Sequence, residues 1–101
     1  MADPISPHLL GITLDSNGVA NTQVVAINLT TGEMQTQSTN ASKLVVFDAA
    51  NFTSAYSNGD IIAFENVGAS IGGTTITITN PGGFQEATIT CAAAPTGAIN
   101  L

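Results

Sequence analysis

Seven carboxylates, one thiol and one imidazole make up nearly all the acid–base, nucleophilic and metal-binding capacity of this chain. The carboxylates are Asp3, Asp15, Glu33, Asp48, Asp60, Glu65 and Glu86. Hydrolysis of a sugar would need two of them facing each other across the substrate. Asp15, Glu33 and Asp60 instead sit in or beside turn sequences ("DSNG", "TTGE" and "SNGD"), where short polar side chains bond their own backbone. Cys91 lies in "EATITCAAA", sharing parity with Ala87 and Ile89 while Thr88 and Thr90 take the other face. That pattern reads as a buried core thiol. A nucleophilic cysteine would want a base beside it, and the only histidine is His8, in a proline-flanked N-terminal segment. "DSNG" opens like a calcium loop but lacks the further ligands and the closing bidentate Glu. "VGASIGG" has neither "GK[ST]" nor a nearby Lys, so it reads as a strand-to-strand loop and not a phosphate cradle. The residues therefore nominate no catalytic residue, no metal ligand and no cofactor site, and the chain is not expected to be an enzyme.

Composition narrows the partners. The net charge is −6, and Lys43 is the only base. Neutralising a phosphate backbone takes several Lys or Arg, and anionic membranes make the same demand, so neither nucleic acid nor a membrane surface is an expected partner. Hydrophobic residues make up 44% and charged residues only 8%, against ~25% charged in ordinary globular chains. The surface must be Thr, Asn, Ser, Gln and Gly. Two readings of such a surface stand side by side: one covered by neighbouring subunits, or a solvated, Thr-rich β surface. One cysteine allows no intrachain disulfide. The start, "MADPISPHLL", lacks the basic and apolar regions of a signal peptide, and no stretch approaches the ~20 apolar residues of a membrane-spanning helix. Folding in the cytoplasm is the expectation if the sequence is a full gene product. The sequons at Asn28, Asn40 and Asn51 would matter only in a secreted protein.

The elements that must position these residues follow period-two patterns. "LLGITL" puts Leu10, Ile12 and Leu14 on one face, and "DSNG" turns, with Gly18 supplying positive φ. "TQVVAINL" puts Val25, Ile27 and Leu29 on one face. "TTGE" turns again, and "MQTQST" is a polar return strand with one face to water. "KLVVFD" reads as a fully buried strand. In "AANFTSAYSNG", Phe52 and Tyr56 could pin an irregular stretch onto the core through one helical turn. "DIIAFEN" places Ile62 and Phe64 together, and "TTITIT" places Ile76 and Ile78 in with Thr75, Thr77 and Thr79 out. "NPGG" turns into the last strand, "FQEATITC". About seven short strands, with turns every 8–12 residues, predict an all-β fold: a single antiparallel β-sandwich, immunoglobulin-like in the broad sense. The predicted body spans residues 9–92, between an N-terminal arm (1–8) and a C-terminal arm (93–101).

The runs "GITLDSNGVANTQVVAINLTTGEMQTQSTN", "KLVVFDAANF" and "NGDIIAFEN" resemble the carboxypeptidase regulatory-like, or prealbumin-like, β-sandwich modules. The match is carried by Asp15, Gly18, Val25, Ile27, Asn28, Thr30, Thr31, Gly32, Glu33, Thr39, Phe47, Gly59 and Asp60, over about half the chain. It departs where "SKLVVF" replaces the glycine and tyrosine of the third strand. The resemblance implies a non-catalytic surface, adhesive or accessory domain of a kind also found on virus particles, and it transfers no functional residue. The resulting expectation is a structural protein that decorates or cements a larger assembly. The leading location is a phage or virus virion, with capsid or other assembly subunits as protein partners and self-association as well. The alternative is an extracellular adhesin or carbohydrate- or receptor-binding module, using loops at 49–59 and 67–73.

Overall fold

The computed structural model describes residues 7–67, 71–79 and 83–92. Residues 1–6 and 93–101, most of the two arms, lie outside the described residues, as do parts of the "VGASIGG" and "NPGG" segments. Seven strands form: β1 (Leu9–Leu14), β2 (Gln23–Asn28), β3 (Glu33–Ser38), β4 (Leu44–Asp48), β5 (Ile61–Asn66), β6 (Gly72–Thr77) and β7 (Phe84–Cys91). One 3₁₀ turn, Ala49–Asn51, follows β4. Its start is capped by the Asp48 side chain, which accepts from the Ala50 N–H at 2.9 Å. This is the helical turn the sequence suggested, and Phe52 and Tyr56 beyond it are buried.

The strands make one sheet in the order β3-β2-β5-β6-β7-β1-β4. The all-β class and strand count match expectation, but the sheet is mixed. β1 and β7 run parallel, in register from Leu9↔Phe84 to Leu14↔Ile89, and every other pairing is antiparallel. Two nearly complete layers are joined by a narrow β6–β7 contact, Gly72↔Cys91 and Gly73↔Thr90. On the far side the edge strands β3 and β4 come beside each other, bridged by side chains. The sheet is thus nearly closed as a barrel.

The core is what the alternation dictates. Leu10, Ile12 and Leu14 from β1, Val45 and Phe47 from β4, Ile62 and Phe64 from β5, Ile76 and Ile78 in and after β6, and Ile89 and Cys91 from β7 are buried. The Phe47 and Phe64 rings meet across the interior, 5.6 Å between centroids and tilted by 49°. Burying each such ring contributes roughly 2–3 kcal/mol.

Two strands depart from the sequence reading. On β2 the inward residues are Val24, Ala26 and Asn28, while Val25 and Ile27 face outward and Leu29 is exposed. The parity is set by Asn28, whose fully buried amide donates to Asp60 Oδ2 at 3.1 Å. A bonded polar side chain inside holds the register against the more apolar outer set. β4 is an edge strand: only Val45 and Phe47 are buried, and Leu44 and Val46 face out. Its apolar run reflects a face left uncovered, not burial on both sides.

Two glycines do different work. Gly32, at the β2–β3 turn, has φ +82, the left-handed region that glycine enters without steric cost. Gly18 was expected to supply positive φ too, but it is needed for close approach. A Cβ there would lie 2.5 Å from the Leu14 Cβ and 3.2 Å from the Cys91 sulfur.

Candidate interaction surfaces

Four carboxylates, Asp15, Glu33, Asp48 and Asp60, accept hydrogen bonds from N–H groups. Asp15 Oδ1 accepts from the N–H groups of Asn17 (3.1 Å) and Cys91 (3.2 Å), stitching the first turn to the end of β7. Asp48 Oδ1 accepts from the N–H groups of His8 and Ala50. Asp60 Oδ2 accepts from Asn28 Nδ2 and from the Ser57 N–H. Glu33 takes the Ser54 N–H and hydroxyl. Turn chemistry thus describes Asp15 and Asp60, as their sequence positions suggested, whereas Glu33 is held by Ser54 from the 49–59 segment. Among the described residues no group of three or more His, Cys, Asp or Glu could hold a metal ion.

The thiol and the imidazole sit at opposite ends of the barrel. His8 precedes β1 beside Asp48 and Ala49. Cys91 ends β7 at the other end, its sulfur buried near Asn66 Oδ1 and Ile89 O. Burial and the Asp15 charge push the Cys91 thiol above its usual value, so the inert thiol predominates. His8, expected in the arm, is fully buried and belongs to the body. Its protonation follows from its neighbours. Gln85 donates through Nε2 to Thr77 O and accepts the Thr79 N–H at Oε1. Oε1 also lies 2.8 Å from His8 Nε2, so Nε2 carries the proton; Nδ1 then accepts the Gly83 N–H at 3.1 Å. Both ring nitrogens of a neutral imidazole are committed to holding the strands together. The Tyr56 ring, 5.6 Å from His8, is part of the same buried cluster, which removes it as an exposed sugar platform on the 49–59 loop.

What remains open to partners is the outer surface. On the β3-β2-β5-β6 layer, cross-strand rows face outward. One runs Met34, Ile27, Ala63, Thr75; the next runs Thr36, Val25, Glu65, Gly73. Ile61, in register with Thr77, adds to them, and Leu29 bonds its N–H to Ile61 O. Val25, Ile27, Ala63, Glu65 and Thr75 line a shallow groove along this face. Met34 and Leu29 are more than half exposed. On the β7-β1-β4 layer, Phe84, Leu9, Val46 and Leu44 face outward around Glu86. The Phe84 ring lies over Gly11, at a distance where any Cβ on residue 11 would touch it. Both layers therefore present largely apolar outer faces, with Glu65 on one and Glu86 and the backbone-bonded Asp48 on the other, and Lys43 lies off both, in the 39–43 loop.

A third feature is the seam between β3 and β4. Glu33, Gln35 and Gln37 point inward from β3, in register with the buried Asn28, Ala26 and Val24. At this edge Gln35 and Gln37 meet β4 rather than the core, while Glu33 holds Ser54. Gln35 Nε2 donates to Asp48 O at 2.9 Å and Gln37 Nε2 to Val46 O at 3.1 Å. The polar return strand is polar on this side because its amides cap the edge carbonyls of β4. The sequence reading took this as a polar return strand with one face to water and did not place the glutamines; their alternate spacing on a strand with no apolar inner face was the available signal.

Among the described residues no helix is long and apolar enough to cross a membrane. Compared with protein-family models, curated proteins and solved structures, the chain matches none.

Proposed function

We propose that this protein is a non-enzymatic structural module that docks on the subunits of a larger assembly, a phage or virus capsid being the leading case. The observation that carries the reading is the pair of largely apolar outer faces, with Glu65 on one and Glu86 and Asp48 on the other, on a chain that has a single base. A free, solvated domain gains nothing from leaving Met34, Leu29, Ile61, Phe84 and Val46 in water, whereas a subunit buries them on contact. The finer reading of the fold, a prealbumin-like sandwich, belongs to the same proposal and rests on the "INLTTGE" hairpin and the Asn28–Asp60 link that ties it to "NGD". The alternative, a carbohydrate- or receptor-binding surface module, is weakened by the burial of Tyr56; its remaining aromatic platform is Phe84. Absolute mass by light scattering across a wide concentration range tests the proposal. A discrete trimer or larger oligomer that Phe84→Glu or Met34→Lys takes apart supports it. An oligomer indifferent to both substitutions refutes the role of the faces.

A further inference from the structure

Gly11 lies in the middle of β1 with the Phe84 ring above it. In register, Phe84 stands beside Leu9 and Glu86 stands beside Gly11. A Cβ on residue 11 would lie 3.0 Å from Phe84 Cζ, 3.3 Å from Cε1 and 3.9 Å from Glu86 Cβ. The ring therefore starts in the Leu9 row and ends over the Gly11 row. It reclines along the sheet on bare backbone and turns its other side outward, with Phe84 still 54% exposed. A glycine inside a strand weakens the strand and marks a place where another group comes close. Here that group is the ring, and the same gap sets the Glu86 side chain beside it. Glu86 is exposed and makes no hydrogen bond or ion pair among the described residues. Across Gly11, on β4, stands the exposed Val46, and Leu9 borders the ring along β1.

We propose that this patch receives an arginine side chain from a subunit of the assembly on which the protein docks. The inference deepens the assembly reading and rests on it for the source of the arginine. Three features select that side chain. An outward aromatic face attracts a cation, and a guanidinium stacks on it flat. A free carboxylate beside the ring accepts the same guanidinium through its fork of N–H groups. Leu9 and Val46 give the aliphatic stem an apolar surface to lie on. A lysine would meet this patch as a point charge, without the flat fork that engages ring and carboxylate together. Net charge selects the same partner. The chain carries −6, and Asp48 adds a second carboxylate in the Leu9 row, its Oδ1 bonded to the His8 and Ala50 N–H groups. Lys43, the only base, lies off this face. The face therefore repels its own kind and draws a basic partner. A second copy of the chain cannot be the donor, because the sequence contains no arginine. Arginine is enriched among the few residues that dominate interface energies.

The test uses the full chain and a short probe, acetyl-Gly-Leu-Arg-Leu-Gly-amide, with lysine, citrulline or norleucine as replacements at the central position. Amide chemical shifts are followed by NMR during titration. The arginine peptide should move the amides of Gly11, Phe84 and Glu86. It should bind about tenfold tighter than the citrulline peptide, which keeps the shape and loses the charge. The lysine peptide should fall between them. Glu86→Gln should weaken the arginine peptide about fivefold and shrink its lead over citrulline. Gly11→Ala should lift the ring from its seat and weaken binding without touching the arginine. Should a variant fail to fold, the peptide series on the wild type decides alone. Equal affinity for the arginine, citrulline and norleucine peptides overturns the inference, as do shifts centred on the groove of Val25, Ala63 and Thr75. Monosaccharides that move the Gly11 and Phe84 amides where arginine does not would make the ring a sugar platform and overturn it too. Lost selectivity beside an intact outer-face oligomer overturns this inference alone. Selectivity in a chain that stays monomeric supports it and leaves the assembly reading to its own test.

Discussion

Removing the Asn28 side chain should uncouple the β2–β3 hairpin from the segment that opens β5. Asn28 is fully buried and makes two bonds through its amide: Nδ2 to Asp60 Oδ2 at 3.1 Å, and Oδ1 from the Thr30 N–H at 2.9 Å. Asp60 is almost as buried, and its other bond to the same oxygen comes from the Ser57 N–H at 2.9 Å. In Asn28→Ala the carboxylate loses one of two donors in a water-poor site. A hydrogen bond to a charged group contributes about 1.5–3 kcal/mol, and stranding its partner costs the desolvation besides. The Thr30 N–H is nearer solvent and adds about 0.5 kcal/mol. The sum is about 3 kcal/mol, a large share of the total stability of a domain this size. The assay is urea unfolding at neutral pH, followed by far-ultraviolet circular dichroism, for the wild type, Asn28→Ala, Asp60→Ala and the double variant. The midpoint should fall with the slope unchanged, and the cycle should return a coupling of about 1.5–3 kcal/mol between the two sites. A coupling under ~0.3 kcal/mol would refute the reasoning, because the two side chains would then act independently.

Two further outcomes follow from described contacts. Gly18→Ala places a methyl group against Leu14 and the Cys91 sulfur; we expect a loss of about 1–3 kcal/mol by thermal or urea unfolding, and an unchanged midpoint would mean the turn yields freely. For Cys91, burial and Asp15 raise the folded thiol above its usual 9.0, so the neutral form is favoured in the fold. Its contribution is present below that value and is lost as pH rises past it toward the folded value. Cys91→Ala should flatten the stability decline above pH 9, and a decline of identical steepness in the variant would contradict this.

Much of the fold was legible because burial and threonine alternate cleanly. Ile76 and Ile78 are buried between exposed Thr75, Thr77 and Thr79, and Ile89 and Cys91 between exposed Thr88 and Thr90, as period two demands. β2 was not legible in the same way. Its outer residues, Val25 and Ile27, are more apolar than its inner Ala26 and Asn28, and the partner that draws Asn28 inward lies 32 residues away. Local periodicity contains no term for such a bond. β4 misled for the opposite reason: "LVVF" looks the same whether both faces are buried or one is left for a partner. The parallel pairing of β1 with β7 joins the two extremes of the body, and no local pattern reports it. The outer faces were hinted at only by the shortage of charge, which says that the surface is unusual without saying where, and the Gln35–Gln37 seam only by alternate glutamines on a strand with no apolar inner face.

The β1–β7 pairing has a mechanical consequence. The strands lie side by side and parallel, yet β1 begins at one end of the barrel and β7 finishes at the other. A pull on the two chain ends therefore runs along the strands in opposite directions. The six residue pairs from Leu9↔Phe84 to Leu14↔Ile89 are loaded together, in shear, instead of peeling open one at a time. Parallel ladders space their bonds evenly, so no single pair concentrates the load. A module tethered at both ends would yield only when the whole ladder slips.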